Sequence, residues 1–373
     1  MNPRNILVFA EGQLGDLLLL TPALRAIKSG NPRSRLTVLI FQRRGSSPGH
    51  FSDTAPFVPA DPAGTGSVLL ALPSVDRVME VYRHRLKMLR GTRRLRAEWD
   101  ILRWLRGERF DAVMCTFPED RFAVLAFLSG AAIRVGQRRQ GLWWLLNRAP
   151  DIRKSDGGVL KYYCALARRL GGGEGGEATA YALGQEERAW AQKVIAEKAP
   201  GARAVVAIHP GASGDYKIWP PERFASLADR LVDQGIAVLL CSGEGDADVV
   251  HEVVSHSRHA PAVIDTSGQL RRLGALFAGC ALVITNDSGP RHLAIAVGAK
   301  TLALFRRHHD REWSVYPETP ACRILRGEGA CPACPHDVCA DIVPSGSVFG
   351  SYCIRQISVE SVAAAAEAMV SAS

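Results

Sequence analysis

The sequence has no apolar run long enough to cross a bilayer; its strongest apolar stretches are short or interrupted. That excludes membrane-spanning helices built from them. It has no Gly-x-Gly-x-x-Gly fingerprint and no Walker lysine, which excludes the two commonest glycine-loop routes to phosphate binding. No export signal is visible, because the run at 5–10 suits a strand better. The chain is therefore expected to be cytoplasmic, with peripheral contact on the cytoplasmic face of the inner membrane left open. No internal repeat or low-complexity tract appears beyond the glycines at 171–176. No nucleic-acid-binding motif accompanies the net charge of +9, so nucleic acid is not an expected partner. The charge still points to an anionic partner: a membrane surface or a phosphorylated substrate.

What is present is alternation. Apolar runs of strand length stand at 5–10, 35–41 and 111–116, then at 204–209, 236–241, 262–265, 281–286 and 300–305. Near-continuous Val/Ile/Leu runs suit strands buried on both faces of a parallel sheet. Amphipathic stretches at 185–198, 221–233, 246–257 and 269–279 read as helices between them. The pattern is βαβ throughout, so the fold class is α/β. A length of 373 residues favours two domains. Gly171-Gly172-Gly173-Glu174-Gly175-Gly176 reads as the linker. The expected domains are 1–172 and 177–357, with an alanine-rich helix over 358–373.

Residues 83–109 carry ten Arg or Lys, interleaved with Leu86, Met88, Leu89, Trp99, Ile101, Leu102, Trp104 and Leu105. This is either a solvated helical face or a basic, partly apolar surface for a membrane or phosphorylated acceptor.

Three strand-to-helix junctions carry candidate chemistry. In "EGQLGDLLLLTP" (11–22), Gly12 and Gly15 allow close approach to the backbone, and Asp16 stands near a helix start. Asp16 is either a helix cap or a base for a hydroxyl nucleophile. In "IHPGASGDYKIWPPERF" (208–224), Ser213 and the loop amides could hold phosphate oxygens. Lys217 there could set a positive charge on a departing diphosphate. Trp219 is expected to pack. In "ALVITNDSGPRHLAIAVG" (281–298), Asn286-Asp287-Ser288-Gly289-Pro290 opens a helix at a buried strand end. Its free amides make an anion site, with His292 one turn in, and the alternative is that Asp287 or Ser288 only caps the helix. A fourth junction, "CSGEGDADVV" (241–250), offers Asp246 or Asp248 to a ribose, and Asp248 is placed among the donor ligands.

The chain has nine cysteines. Cys115, Cys164, Cys241 and Cys280 read as buried free thiols. Cys331, Cys334, Cys339 and Cys353 have zinc-like ingredients without a recognised finger spacing. Packing or redox-silent thiols are the expectation, and no bound metal.

Taken together, "GDLLLLTPALRAIK" (15–28), "HPGASGDYKIWPPERFASLADRL" (209–231) and "TNDSGPRHLAIAVGAKTLALF" (285–305) resemble the ADP-heptose:lipopolysaccharide heptosyltransferase family. The cysteine tail and "ISVESV" are similar to those of some members. The resemblance implies a GT-B fold, in which two Rossmann-like domains face across a cleft. It makes 1–172 the acceptor-side domain and 177–357 the nucleotide-sugar domain, with the last helix returning to the first. It implies inverting transfer of a sugar, heptose from ADP-heptose, to a lipopolysaccharide core or related surface glycan, with no required cofactor or metal. Asp16 matches the family's proposed base and Lys217 its phosphate lysine. Asp287, Ser288, Gly289 and His292 match the donor loop. Three features depart: Arg291 stands where many members carry methionine, "RRHHDREW" follows Phe305 where the family usually has a glycine-led loop, and the gap between Cys339 and Cys353 is long. The rival readings are a sugar-nucleotide epimerase or hydrolase on the same frame, a non-catalytic membrane-associated relative, and a zinc-dependent nucleic-acid module.

Overall fold

The computed structural model describes residues 3–42, 57–62, 64–138, 141–307, 315–327 and 349–371. The chain divides into two compact units, Met1–Ala180 and Tyr181–Ser373. Each is a six-stranded sheet with helices on its faces.

In the first unit the sheet order is β3-β4-β2-β1-β5-β6. These strands are β1 (Asn5–Glu11), β2 (Arg35–Gln42), β3 (Phe57–Pro59), β4 (Arg77–Tyr82), β5 (Ala112–Cys115) and β6 (Ile133–Val135). All pairings are parallel except β3 with β4. β1 is apolar almost throughout because it lies between β2 and β5 with both faces covered. Helix α1 (Leu14–Gly30) follows it and packs along α6 (Gly158–Arg169).

The expected linker belongs to this unit. The Gly173 N–H donates to the Ala26 carbonyl of α1 at 2.8 Å. A Cβ on Gly175 would stand 2.7 Å from both the Ala26 nitrogen and the Pro22 oxygen. Glycine is needed there for close approach to α1, not for flexibility. The division therefore falls at Ala180/Tyr181 rather than at 172–177.

The second unit has the order β12-β11-β10-β7-β8-β9, parallel throughout. Its strands are β7 (Ala204–His209), β8 (Ile236–Ser242), β9 (Ala262–Asp265), β10 (Leu282–Asn286), β11 (Thr301–Phe305) and β12 (Cys322–Arg326). The expected helices appear as Gln185–Lys198, Pro221–Asp233, Ala247–His256 and Leu270–Gly279. Trp219 is fully buried among Phe224, Ile208 and Ile284, as its packing role requires.

The last helix, Val359–Ser371, was expected against the first domain. Its apolar face (Val362, Ala363, Ala366, Met369, Val370) lies in the second unit's core, against helix Pro221–Asp233 and β10. Alanines at these positions let it sit close to the sheet, which makes it a structural member of this unit.

Candidate active site

Ligands of doubly wound sheets bind beyond the strand carboxyl ends, where the strand order reverses. In the first unit that point lies between β1 and β5; in the second it lies between β7 and β10. The sequence motifs fall on these points.

At the first, β1 ends in buried Glu11, and Gly12 turns the chain. A Cβ on Gly12 would stand 2.0 Å from Gln42 Oε1, so any larger residue would push the Gln42 amide out of place. Gly15 is half-buried in the first turn of α1. The N-cap of α1 is Gln13, so Asp16 does not occupy the capping position. Asp16 is buried, and Tyr163 Oη donates to its Oδ1 at 3.3 Å. Burial and the Asp16 charge hold the Tyr163 phenol well above its ordinary pKa. It stays protonated and orients the carboxylate. Nearby, Arg83 bridges Glu11 (3.3 Å) and Glu119 (2.9 Å). A cavity of about 320 Å³ is lined by Arg83, His84, Lys87 and Glu119.

At the second point, His209 ends β7, and the loop to the next helix begins. Burial pushes the His209 pKa down, and Asp246, 3.4 Å from its Nε2, pulls it the other way. The Asp246 carboxylate also accepts the Gly243 N–H at 2.8 Å and fills the space a Gly211 Cβ would need. Asp246 is thus a clip between two loops. Asp248 is exposed and lines a cavity of about 220 Å³ with Ala212, Asp215 and Gly245. Asp246 lines the same cavity, but its carboxylate is already engaged with His209 and the Gly243 N–H, whereas Asp248 is exposed. Ser213 is exposed on the loop.

Lys217 closes a single 3-10 turn, Asp215–Lys217. Burial lowers its pKa, Asp287 opposes this, and Arg306 adds to it. Asp287 is itself buried, with its N–H bonded to the Leu304 carbonyl of β11. Ser288 is the N-cap of α11 (Gly289–Ala296) but makes no side-chain bond to its amides; Ser288 Oγ meets the Asn286 carbonyl at 3.4 Å. The simple capping role therefore falls away. Gly289 opens the helix with Pro290 behind it, and this helix start faces the strand ends.

The side chain that holds the two loops together was not singled out from sequence. Asn286 is fully buried; its Oδ1 accepts the Trp219 N–H at 3.0 Å and its Nδ2 donates to the Pro210 carbonyl at 2.5 Å. Tyr163 and the Arg83 bridge were also missed. Their roles lie in contacts between distant positions, and no local pattern signals them.

His292 is buried, with Nδ1 3.1 Å from Tyr316 Oη. Burial first, then Arg291 and Lys217, push its pKa from 6.5 to about 3. It brings a neutral ring to the loop, not a charge. A histidine whose folded pKa is depressed binds fewer protons in the folded state. Stability should therefore fall as pH drops below 6.5, continuing toward about 3. His292 alone contributes a slope of about 1.4 kcal/mol per pH unit in that window. Denaturation of wild type and His292→Gln between pH 7 and 5 checks this: the variant should lose that part of the slope. Parallel curves would contradict it.

Arg291, the first departure from the family pattern, is fully buried. Its guanidinium stacks 4.7 Å from Phe305 and 5.3 Å from Tyr316 and is hydrogen-bonded to Cys322. It is a packing element of the second unit. Among the described residues no group of three or more His, Cys, Asp or Glu could hold a metal. Cys331, Cys334 and Cys339 lie outside the described residues, and Cys353 is buried with Sγ 3.6 Å from Ser351 Oγ. Cys115, Cys164, Cys241 and Cys280 are buried free thiols, as expected. No helix among the described residues is long and apolar enough to cross a membrane.

Residues 99–340, more than half of the chain, match glycosyltransferase family 9 (heptosyltransferase). The chain belongs to this heptosyltransferase family. Within the family, it is 24% identical over 298 residues to lipopolysaccharide heptosyltransferase 3 of Escherichia coli, covering 78% of this chain and 80% of that one. A family 9 glycosyl transferase from Veillonella parvula superposes with a TM-score of 0.76 at 22% identity, covering 99% and 98%. E. coli heptosyltransferase WaaC with ADP superposes at 0.70 and 17%, covering 98% and 99%. The two-sheet architecture is therefore that of the GT-B heptosyltransferases, and the chain is a glycosyltransferase. The family match begins beyond Asp16, so the role of that residue rests on its own geometry.

Proposed function

We propose that this heptosyltransferase moves heptose from ADP-heptose to the core of a lipopolysaccharide, in one inverting displacement that needs no metal. Asp16 takes the proton from an acceptor hydroxyl. The freed oxygen bonds to the anomeric carbon, and the bond from that carbon to the β-phosphate oxygen breaks. ADP leaves with the electron pair. Lys217 and the α11 amides beyond Gly289 receive its charge, Asp287 holds Lys217 in its ammonium form, and Asp248 and Ser213 contact the nucleotide. A single displacement inverts the anomeric centre. The observation that carries this reading is the second unit's switch point, where Lys217 from the loop after β7 lies within reach of Asp287 and the uncapped helix start that follow β10. The lipopolysaccharide relative and the ADP-bound neighbour support the substrate classes.

The test is thermal stabilisation by ADP, UDP, GDP, CMP and NAD, in EDTA. A ligand that binds only the folded state raises the melting point. A shift selective for ADP, reduced by Lys217→Ala, is expected. A shift confined to UDP or GDP would discard ADP-heptose.

The acceptor side should meet the cytoplasmic face of the inner membrane. Seven of the fifteen residues from 83 to 97 are Arg or Lys, and none is acidic. Helix α4 (Gly91–Gly107) buries Ala97, Ile101 and Leu105 on one face. On the other, Leu95 is 71% and Trp99 56% exposed, and Met88 just before the helix is 77% exposed. Large apolar tips ringed by cations suit an anionic bilayer surface. Sedimentation with vesicles containing phosphatidylglycerol should show binding, weakened roughly tenfold or more in a Leu95→Asp/Trp99→Asp variant. Equal binding to purely zwitterionic vesicles would contradict the placement.

A further inference from the structure

Arg306 is the first residue beyond β11. It is 3% exposed, and its guanidinium carbon lies 4.7 Å from the centre of the Tyr216 ring. Nε and Nη2 have no hydrogen-bond partner among the described residues. A guanidinium is always charged and carries five donors; leaving two of its nitrogens idle in the interior is costly. Such an arrangement persists when something absent from the resting protein completes it.

The surroundings say what that is. Tyr216, under the guanidinium, directly precedes Lys217. Lys217 senses Arg306 as a like charge and Asp287 as the opposing one. The backbone explains the proximity: Asn286 pairs with Leu304, and the Asp287 N–H bonds the Leu304 carbonyl. Arg306, two residues on, leaves the sheet beside the start of the donor loop. Lys217 and Arg306 against Asp287 leave an excess positive charge in this corner, while Asp246, a further carboxylate at these strand ends, is engaged with His209 and the Gly243 N–H. The ligand that fits is a phosphate group bearing more than one charge. In this chain a long cation also occupies the position where the resemblance expects a glycine.

We propose that Arg306 is a second ligand of the donor's diphosphate, working beside Lys217, with its idle Nε and Nη2 donating to phosphate oxygens. The inference rests on the ADP-sugar reading of the second unit and adds a specificity-determining residue to it. A planar guanidinium binds phosphate through paired donors, which a lysine cannot reproduce. Arg306 thereby makes the site selective for a nucleoside diphosphate over the bare nucleoside.

The experiment titrates wild type, Arg306→Gln and Arg306→Lys with ADP by calorimetry. Adenosine binding is followed in parallel at millimolar concentration by ligand NMR. Arg306→Gln should weaken ADP roughly tenfold to a hundredfold, the range for charge-assisted hydrogen bonds. Adenosine binding should be unchanged, and Arg306→Lys should recover part of the loss. Ligand-free Arg306→Gln should melt no lower than wild type, because a buried group with idle donors is gone. That readout separates lost binding from lost folding. Equal ADP affinity in wild type and Arg306→Gln would overturn the proposal and leave the donor reading intact. So would equal proportional losses for ADP and adenosine. Wild type that binds no ADP would overturn both.

Discussion

Asp16→Asn is expected to lose about 10²- to 10⁴-fold in turnover, the range a positioned general base supplies. Asparagine keeps the shape of the side chain and can still accept the Tyr163 hydroxyl through Oδ1, so the site should remain formed. What it lacks is a basic oxygen. The acceptor hydroxyl must then attack while still holding its proton, or lose it to water. Stability should change by only about 0.3–2 kcal/mol, the worth of one carboxylate near a helix N-terminus from exposed to partly buried settings. ADP affinity should not change, because the donor is assigned to the second unit. Steady-state turnover and ADP titration on the same preparation check both halves. Full turnover would remove Asp16 as the base; a parallel fall in ADP affinity would show that it acts on the donor instead.

Asn286→Leu is expected to be the most damaging substitution in the second unit. Leucine has the branched outline of asparagine, though it is bulkier, and supplies neither a donor nor an acceptor. The Trp219 N–H and the Pro210 carbonyl would both lose their partner in a fully buried place. Each buried group left unsatisfied costs about 1–3 kcal/mol, so the two together cost about 2–6 kcal/mol. For a unit of this size that corresponds to roughly 4–24 °C in melting temperature. The same amide ties the Lys217 loop to the strand that carries Asp287, so ADP affinity should fall with stability. Calorimetric melting with and without ADP measures both. A variant that melts with wild type and binds ADP normally would show that the loops are held by other contacts.

Much of the fold was legible because parallel strands covered on both faces are written as unbroken apolar runs. β7, β8, β9, β10 and β11 stand within one residue of their expected bounds. β4 was missed, and its burial explains why. Glu80 sits mid-strand and almost fully buried, accepting from Tyr82 Oη at 2.8 Å and Gln42 Nε2 at 3.0 Å. Burial raises its pKa. A charged residue inside a buried strand breaks the run that marks it in sequence. The glycine stretch misled for the opposite reason: local composition suggests freedom, whereas the glycines serve close contact with α1. The last helix shows the same limit, since an apolar face does not name the sheet it covers.

The candidate site was legible where chemistry sits at strand ends. Lys217, Asp287, Ser288 and Gly289 all fall at the switch point of the second sheet. Distant contacts were not legible. Tyr163 lies 147 positions from Asp16, yet its hydroxyl donates to that carboxylate. Arg306 appears in sequence only as a departure from a family pattern. Its meaning comes from what surrounds it once folded.

The most direct measurement follows both substrates at once. The protein is given ADP-heptose and a lipopolysaccharide core lacking its outer heptoses, and ADP release and acceptor mass are recorded together. One ADP should be released for each heptosyl group gained, with inverted anomeric configuration, and both signals should be lost in Asp16→Asn. ADP release without acceptor gain, or acceptor gain that survives Asp16→Asn, would contradict this mechanism.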